Sequence, residues 1–134
     1  MLDFARFRTT RQFNALNYAI GHAAEIAQLG AIRSFFSDPN LEHTEEGATF
    51  DFESPTHLIE LKSRRVKRLT YHDTAIGCNK IRFARGSPKA VIFVFQYSDG
   101  TFYWRYDPEL VLRTGPLLGV PHYFIPVSAL LPMF

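Results

Sequence analysis

The chain holds one cysteine, Cys78. That excludes an intrachain disulfide and a cysteine-rich zinc site, and it fits a reducing, intracellular setting. No apolar run approaches the roughly 20 residues that span a bilayer, and the start of the chain carries no signal-peptide pattern, so no membrane partner is expected. There is no glycine-rich phosphate loop. The five histidines (His22, His43, His57, His72 and His122) show no metal-ligand spacing. Cys78 has no histidine base in phase with it, which argues against a thiol nucleophile.

What is present is apolar and aromatic. Hydrophobic residues make up 46% of the 134 residues, with 13 Phe and 6 Tyr, enough for one folded domain spanning 1–134 rather than a disordered chain. Net charge is only +2, but its distribution is uneven. From Asp38 to Glu60 there are seven acids and no Lys or Arg, whereas from Lys62 to Lys89 there are nine bases against one acid, Asp73. Acid and base meet at Glu60-Leu61-Lys62, an arrangement suited to a metal site beside a surface for a polyanion.

Thr9-Thr10 can cap a helix in which Phe13, Leu16, Ile20, Ala24, Ala27 and Ala31 share one face. It should end by Asp38-Pro39. A polar turn, 40–47, follows. Ala48, Phe50 and Phe52 then alternate with Thr49, Asp51 and Glu53, which is strand periodicity. Ser54-Pro55-Thr56 joins that strand to a second, His57 to Lys62, as a hairpin. The stretch 63–71 reads as irregular and basic, and 72–84 reads as a helix burying Ala75, Ile76, Ile81 and Ala84. Ala90 to Phe95 is a continuous β-rich run, expected to be a strand buried on both faces. Thr101 to Tyr106 completes a second hairpin across Ser98-Asp99-Gly100, and Asp107-Pro108 starts a short helical turn through Leu112. The tail reads as loop around Gly115-Pro116 and Gly119–Pro121, with a short strand near 122–125. The expected fold class is α/β, a mixed central sheet flanked by helices.

The chemistry lies in the first hairpin. Asp51 and Glu60 sit on adjacent strands near the joining turn, each flanked by apolar residues that point the other way. Period-two geometry puts Lys62 on the face of Glu60. Two carboxylates so placed offer hard oxygen ligands to Mg²⁺ or Mn²⁺. An ammonium beside them can orient water or offset charge developing on a phosphate.

Asp51, a short gap and Glu60-Leu61-Lys62 at the end of an apolar strand resemble the PD-(D/E)xK nuclease superfamily, and in particular its small phage and viral members. The order of elements over residues 10–106 is similar to that superfamily's restriction-endonuclease-like α-β-β-β-α-β core. The resemblance implies a Mg²⁺-dependent deoxyribonuclease with Asp51, Glu60 and the Leu61 carbonyl as metal ligands and Lys62 as the catalytic cation. It also implies that 74–80 forms a helix near the substrate. Phe50 stands where the family commonly has proline. Many members carry a ligand Glu on the first helix; the candidate here, Glu25, lies roughly opposite the Phe13/Leu16/Ile20 stripe at about 100° per residue, which argues against a ligand role. Glu53 shares the Asp51 face and reads as an exposed hairpin carboxylate rather than an alternative ligand, and His57 reads as structural.

Arg64, Arg65, Lys67, Arg68 and Lys80 are the candidates for holding DNA phosphates. Tyr71 and His72 border the same region, while Trp104, Tyr97, Tyr103 and Tyr106 read as sheet packing. With no separate recognition module, cutting directed by DNA structure or ends is expected, and a homodimer would supply one site per strand. The rival from another class is a non-catalytic nucleic-acid-binding protein on the same fold. A third reading is an interaction module whose charges form surface ion pairs.

Overall fold

The computed structural model describes residues 10–134, with the side chains of 10–15, 17, 18 and 24 outside the description. The expected stripe members Phe13 and Ala24, and the cap at Thr9, therefore lie outside the described residues. In chain order the elements are α1 (Thr10–Phe35), β1 (Glu42–His43), β2 (Phe52–Glu53), β3 (His57–Ser63), β4 (Asp73–Gly77), α2 (Cys78–Gly86), β5 (Ala90–Tyr97), β6 (Gly100–Arg105), β7 (Arg113–Leu117), β8 (Val120–Pro126) and β9 (Leu131–Pro132), with single helical turns at Arg68–Thr70 and Val127–Ala129. Six strands form the main sheet in the order β1-β2-β3-β5-β6-β9, and β4-β8-β7 form a second sheet. β3 and β5 are parallel, while the other pairs are antiparallel. The fold is mixed α/β, as the sequence indicates.

β5 shows why the main sheet is buried on both sides. Its β-branched and aromatic residues alternate: Ile92 and Val94 join Ile32 of α1, Phe52, Ile59 and Leu61 in one core. Val91, Phe93 and Phe95 join Leu58, Ile81 of α2, and Ile76 and Ile125 of the second sheet in the other. α1 thus covers one face, and α2 with the small sheet covers the other. A parallel β3/β5 pair requires a long crossover, and here β4 and α2 lie within it.

Five expectations are corrected. The segment 72–84 is not one helix, since Thr74 and Ile76 are buried while Asp73, Ala75 and Gly77 are half-buried, the alternation of a strand, and the helix starts only at Cys78. No helix forms at 107–112, which is turn and coil. The polar turn 40–47 contains β1, an edge strand pairing His43 with Phe52.

The tail, expected to be loop at 115–121, is the β7–β8 hairpin instead. Leu118 and Gly119, both with positive φ (50° and 77°), make its two-residue turn. Leu117 and Val120 close that turn, so Pro116 and Pro121, facing each other one step on, fall at a non-hydrogen-bonded pair. Neither missing N–H is needed by that ladder.

α1 also turns a different face inward. Ile32 is buried and Leu29 packs on the same core, whereas Ala27 is exposed. Glu25 precedes Leu29 by four residues and Ile32 by seven, so it rides on the inward face. Among the described residues no helix is long and apolar enough to cross a membrane.

Candidate active site

The site forms where β2 stops pairing. β2 and β3 are in register only at Phe52↔Ile59 and Glu53↔Leu58. Asp51 extends this by one bond, its N–H donating to Ile59 O at 3.1 Å, and then the chain bends away. Thr44 holds the bend: its hydroxyl donates to Phe50 O (2.5 Å) and Asp51 O (3.0 Å), and its N–H also donates to Asp51 O (2.9 Å). The expected alternation through Ala48, Phe50 and Phe52 therefore breaks. Phe52 enters the α1-side core, Phe50 the opposite one. Asp51 sits at that pivot. Its Oδ2 accepts the Leu61 N–H at 2.8 Å, so a side-chain oxygen occupies the place a partner strand would have taken.

Glu60 comes from the middle of β3, 3% exposed, on the face shared by Leu58 and Lys62. Its Oε2 meets Lys62 Nζ at 3.5 Å and Lys80 Nζ at 3.1 Å. Lys80 arrives from the first turn of α2, with its ammonium 5.3 Å from the centre of the Phe50 ring. The third acid is Glu25. Asp51 lies within hydrogen-bonding reach of both Glu60 and Glu25. The sequence phase set Glu25 apart from the site, but the inward face of α1 brings it in. Its Oε2 is also 2.5 Å from His43 Nε2 and 3.9 Å from His22 Nδ1.

The electrostatics follow from this crowding. Burial, then the neighbouring Asp51, push the Glu60 carboxyl up to about 7, although Lys62 and Lys80 oppose them. Burial and Glu25 likewise raise Asp51, against the contrary pull of its bonds with Glu60 and the Leu61 N–H. Asp51 thus has both Glu60 and Glu25 as neighbours, and carboxylate oxygens are the donors that a hard divalent cation prefers. Asp51 and Glu60 could hold it; among the described residues, the three ligand atoms that all come within 4.8 Å of one another are those of His22, Glu25 and His43. The Leu61 carbonyl points to the same side of β3 as its N–H, the side of Asp51.

The remaining candidates separate. Glu53 is outside the cluster, paired with Lys89 at 2.8 Å. His57 is structural, bonded to the buried Asp38 at 2.9 Å. Arg64 turns inward, donating to Thr74 Oγ1 (3.0 Å) and Ala75 O (2.8 Å), and so ties β3 to β4. Lys80, expected to reach DNA phosphates, is turned onto Glu60 instead.

Arg65 and Lys67 are exposed, and the Arg68 guanidinium lies 4.8 Å over Phe102. A cleft of about 520 Å³ opens directly from Lys62 past Arg65 and Arg68 to Tyr71 and His122. What the sequence reading missed is the place of Lys80 beside Glu60 and the pair His22 and His43. His22 and Glu25, three apart on a helix, could have been paired by spacing; His43 could not, because nothing in the chain announces β1.

No family model, curated protein or solved structure matched this chain.

Proposed function

We propose that the chain is a divalent-metal-dependent nuclease that hydrolyses DNA phosphodiester bonds, built on a restriction-endonuclease-like core. The observation that carries this reading is that Asp51, at the bend before β2, neighbours both Glu60 of β3 and Glu25 of α1, with the Lys62 ammonium 3.5 Å from Glu60. Mg²⁺ or Mn²⁺ bound there would supply Lewis acidity and a water of lowered pKa. The chain's own residues supply the rest. Lys62, more exposed than Lys80, faces the cleft, where its Nζ can hold the attacking water or the non-bridging oxygens of a phosphate. Arg65, Lys67 and Arg68 line or flank the cleft and would neutralise the adjoining backbone phosphates. Lys80 fixes the Glu60 carboxylate from the α2 side and positions it.

The element order supports the same core. α1, the β2–β3 hairpin, then α2 and β5 follow one another, with β5 parallel to β3. The strand between β3 and α2 pairs in the second sheet rather than the main one.

Purified protein incubated with supercoiled, linear and branched DNA and Mg²⁺, Mn²⁺ or EDTA tests the reading, alongside Asp51→Ala and Lys62→Ala. Cleavage should need the metal and vanish in both variants. No metal-dependent cleavage of any substrate, or cleavage undiminished in both, would reject it.

One observation favours the non-catalytic alternative. Two ammoniums already contact Glu60 and could offset the acids in place of a cation. In that case DNA would bind at low salt and neither Mg²⁺ nor Asp51→Ala would change the affinity.

A further inference from the structure

His22, Glu25 and His43 form a second group with different chemistry. Their ligand atoms, two imidazole nitrogens and a carboxylate oxygen, all lie within 4.8 Å of one another. A tetrahedral cation about 2.1 Å from each atom would set them about 3.4 Å apart, so His43 Nε2 and Glu25 Oε2, now 2.5 Å apart, would part by about 1 Å while His22 Nδ1 moves in from 3.9 Å.

The three residues come from two elements that the fold holds together. His22 and Glu25 are one turn apart on α1, and His43 belongs to β1, which packs against α1. The imidazole rings stand edge to face, 5.1 Å between centres at 87°. The His43 ring also abuts the fully buried Phe52, 5.7 Å away at 84°, which limits its rotation. The group is half-buried.

The ligand type sets the choice of ion. Asp51 and Glu60 present oxygen alone, the preference of Mg²⁺. Two imidazoles with one carboxylate suit Zn²⁺, Mn²⁺ or Fe²⁺, and leave positions for water. We infer that His22, Glu25 and His43 bind a transition-metal ion, separate from the oxygen site and joined to it through Glu25. The inference does not depend on DNA hydrolysis. It does place Glu25, a neighbour of Asp51, between the two centres, so that loading one changes the charge around the other.

The test is isothermal titration of the full chain with Zn²⁺ and with Mg²⁺, repeated on His22→Gln/His43→Gln and on Asp51→Asn/Glu60→Gln, with circular dichroism as the check on folding. Zn²⁺ should bind the wild type with one site that Mg²⁺ does not displace. Residues that merely support metal ligands are worth about 10–100-fold in affinity, so loss of two ligands should weaken Zn²⁺ by about 100-fold or more. The Asp51→Asn/Glu60→Gln protein should keep the Zn²⁺ site. Absence of Zn²⁺ binding in the wild type, or equal binding in folded His22→Gln/His43→Gln, overturns the inference. Should the histidine variant fail to fold, the imidazole NMR signals of the wild type titrated with Zn²⁺ decide: saturable shifts of the His22 and His43 signals support nitrogen ligation, and signals left unmoved at saturating Zn²⁺ reject it. DNA cleavage that fails while Zn²⁺ still binds would remove the proposed function and leave this site standing.

Discussion

Two buried acidic clusters tie α1 to the β2–β3 hairpin, and they are built on opposite plans. Asp38, just beyond α1 and 6% exposed, is surrounded by donors. Its Oδ2 accepts from Ser54 Oγ (2.5 Å), His57 Nδ1 (2.9 Å) and Thr56 Oγ1 (3.4 Å), and its Oδ1 from the Asn40 N–H (3.3 Å). Burial works against its charge, but the bonds from Ser54, His57 and Asn40 outweigh it and hold the carboxyl below the ordinary value. Some 13 residues along the chain, Asp51 is surrounded by other acids, and both it and Glu60 are driven upward. The same side-chain chemistry serves as a finished anchor in one place and as an unfinished charge balance in the other. An acid enclosed by donors has its counter-charge built in, whereas one enclosed by acids leaves room for a cation.

Substitutions should separate the two clusters sharply. The largest effect is on catalysis. Asp51→Asn or Glu60→Gln should reduce Mg²⁺-dependent DNA cleavage by about 10³-fold, the upper range for loss of one group acting on developing charge. Asp38→Asn should leave the rate of the folded protein nearly unchanged. Initial rates on a plasmid substrate check this.

Stability should run the other way. Asp38→Ala strands the hydrogen-bonding groups of Ser54 and His57, and should cost about 2–3 kcal/mol in urea denaturation. Glu60→Gln removes a disfavoured charge and should add about 1 kcal/mol at pH 8 in EDTA.

The pH dependence has opposite signs for the two acids. Glu60 holds its proton more tightly in the folded state, about 7 against an ordinary 4.5, so the folded state binds more protons between those values. Its contribution to stability is present below pH 4.5 and is lost as pH rises to 7. For Asp38 the folded value is the lower one, so its contribution is present above the ordinary 3.8 and is lost as pH falls below that. Thermal melts in EDTA should therefore fall between pH 4.5 and 7, with less slope in Glu60→Gln, and saturating Mg²⁺ should flatten the same window. The smallest effect is on the basic cleft. Arg65→Ala and Lys67→Ala should each weaken DNA binding severalfold regardless of sequence, and each should reduce the log–log salt slope by about 1.

What could be read from the chain was whatever repeats at a short period. Strand alternation placed Glu60 and Lys62 on one face; Asp51, expected within the neighbouring strand, lies at the bend just before it. The unbroken run of Ala90 to Phe95 announced a doubly buried strand. The basic stretch after Lys62 proved irregular and lies along the cleft. Glu25 was misplaced because its helix offers two stripes: the Phe13/Leu16/Ile20 phase, continued by small alanines, outweighed Leu29 and Ile32, which carry the packing. In 72–84, Ile76, Ile81 and Ala84 fit a helix as well as a strand followed by a helix, and only pairing of Ala75 with Phe124 decides between them. β1 and β9, two residues each, have no period to read. His43 reaches Glu25 through β1, so that half of the cluster depended on tertiary structure alone.

The bond from the Leu61 N–H to Asp51 Oδ2 makes one backbone proton a gauge of the site. That amide is shielded from solvent exchange only while the carboxylate leans on it. A ligand that draws Asp51 away would expose the Leu61 amide while its neighbours in β3, held to β5 by the parallel ladder, stay protected. Occupancy of the centre would then be legible in a single resonance, without reference to any reaction.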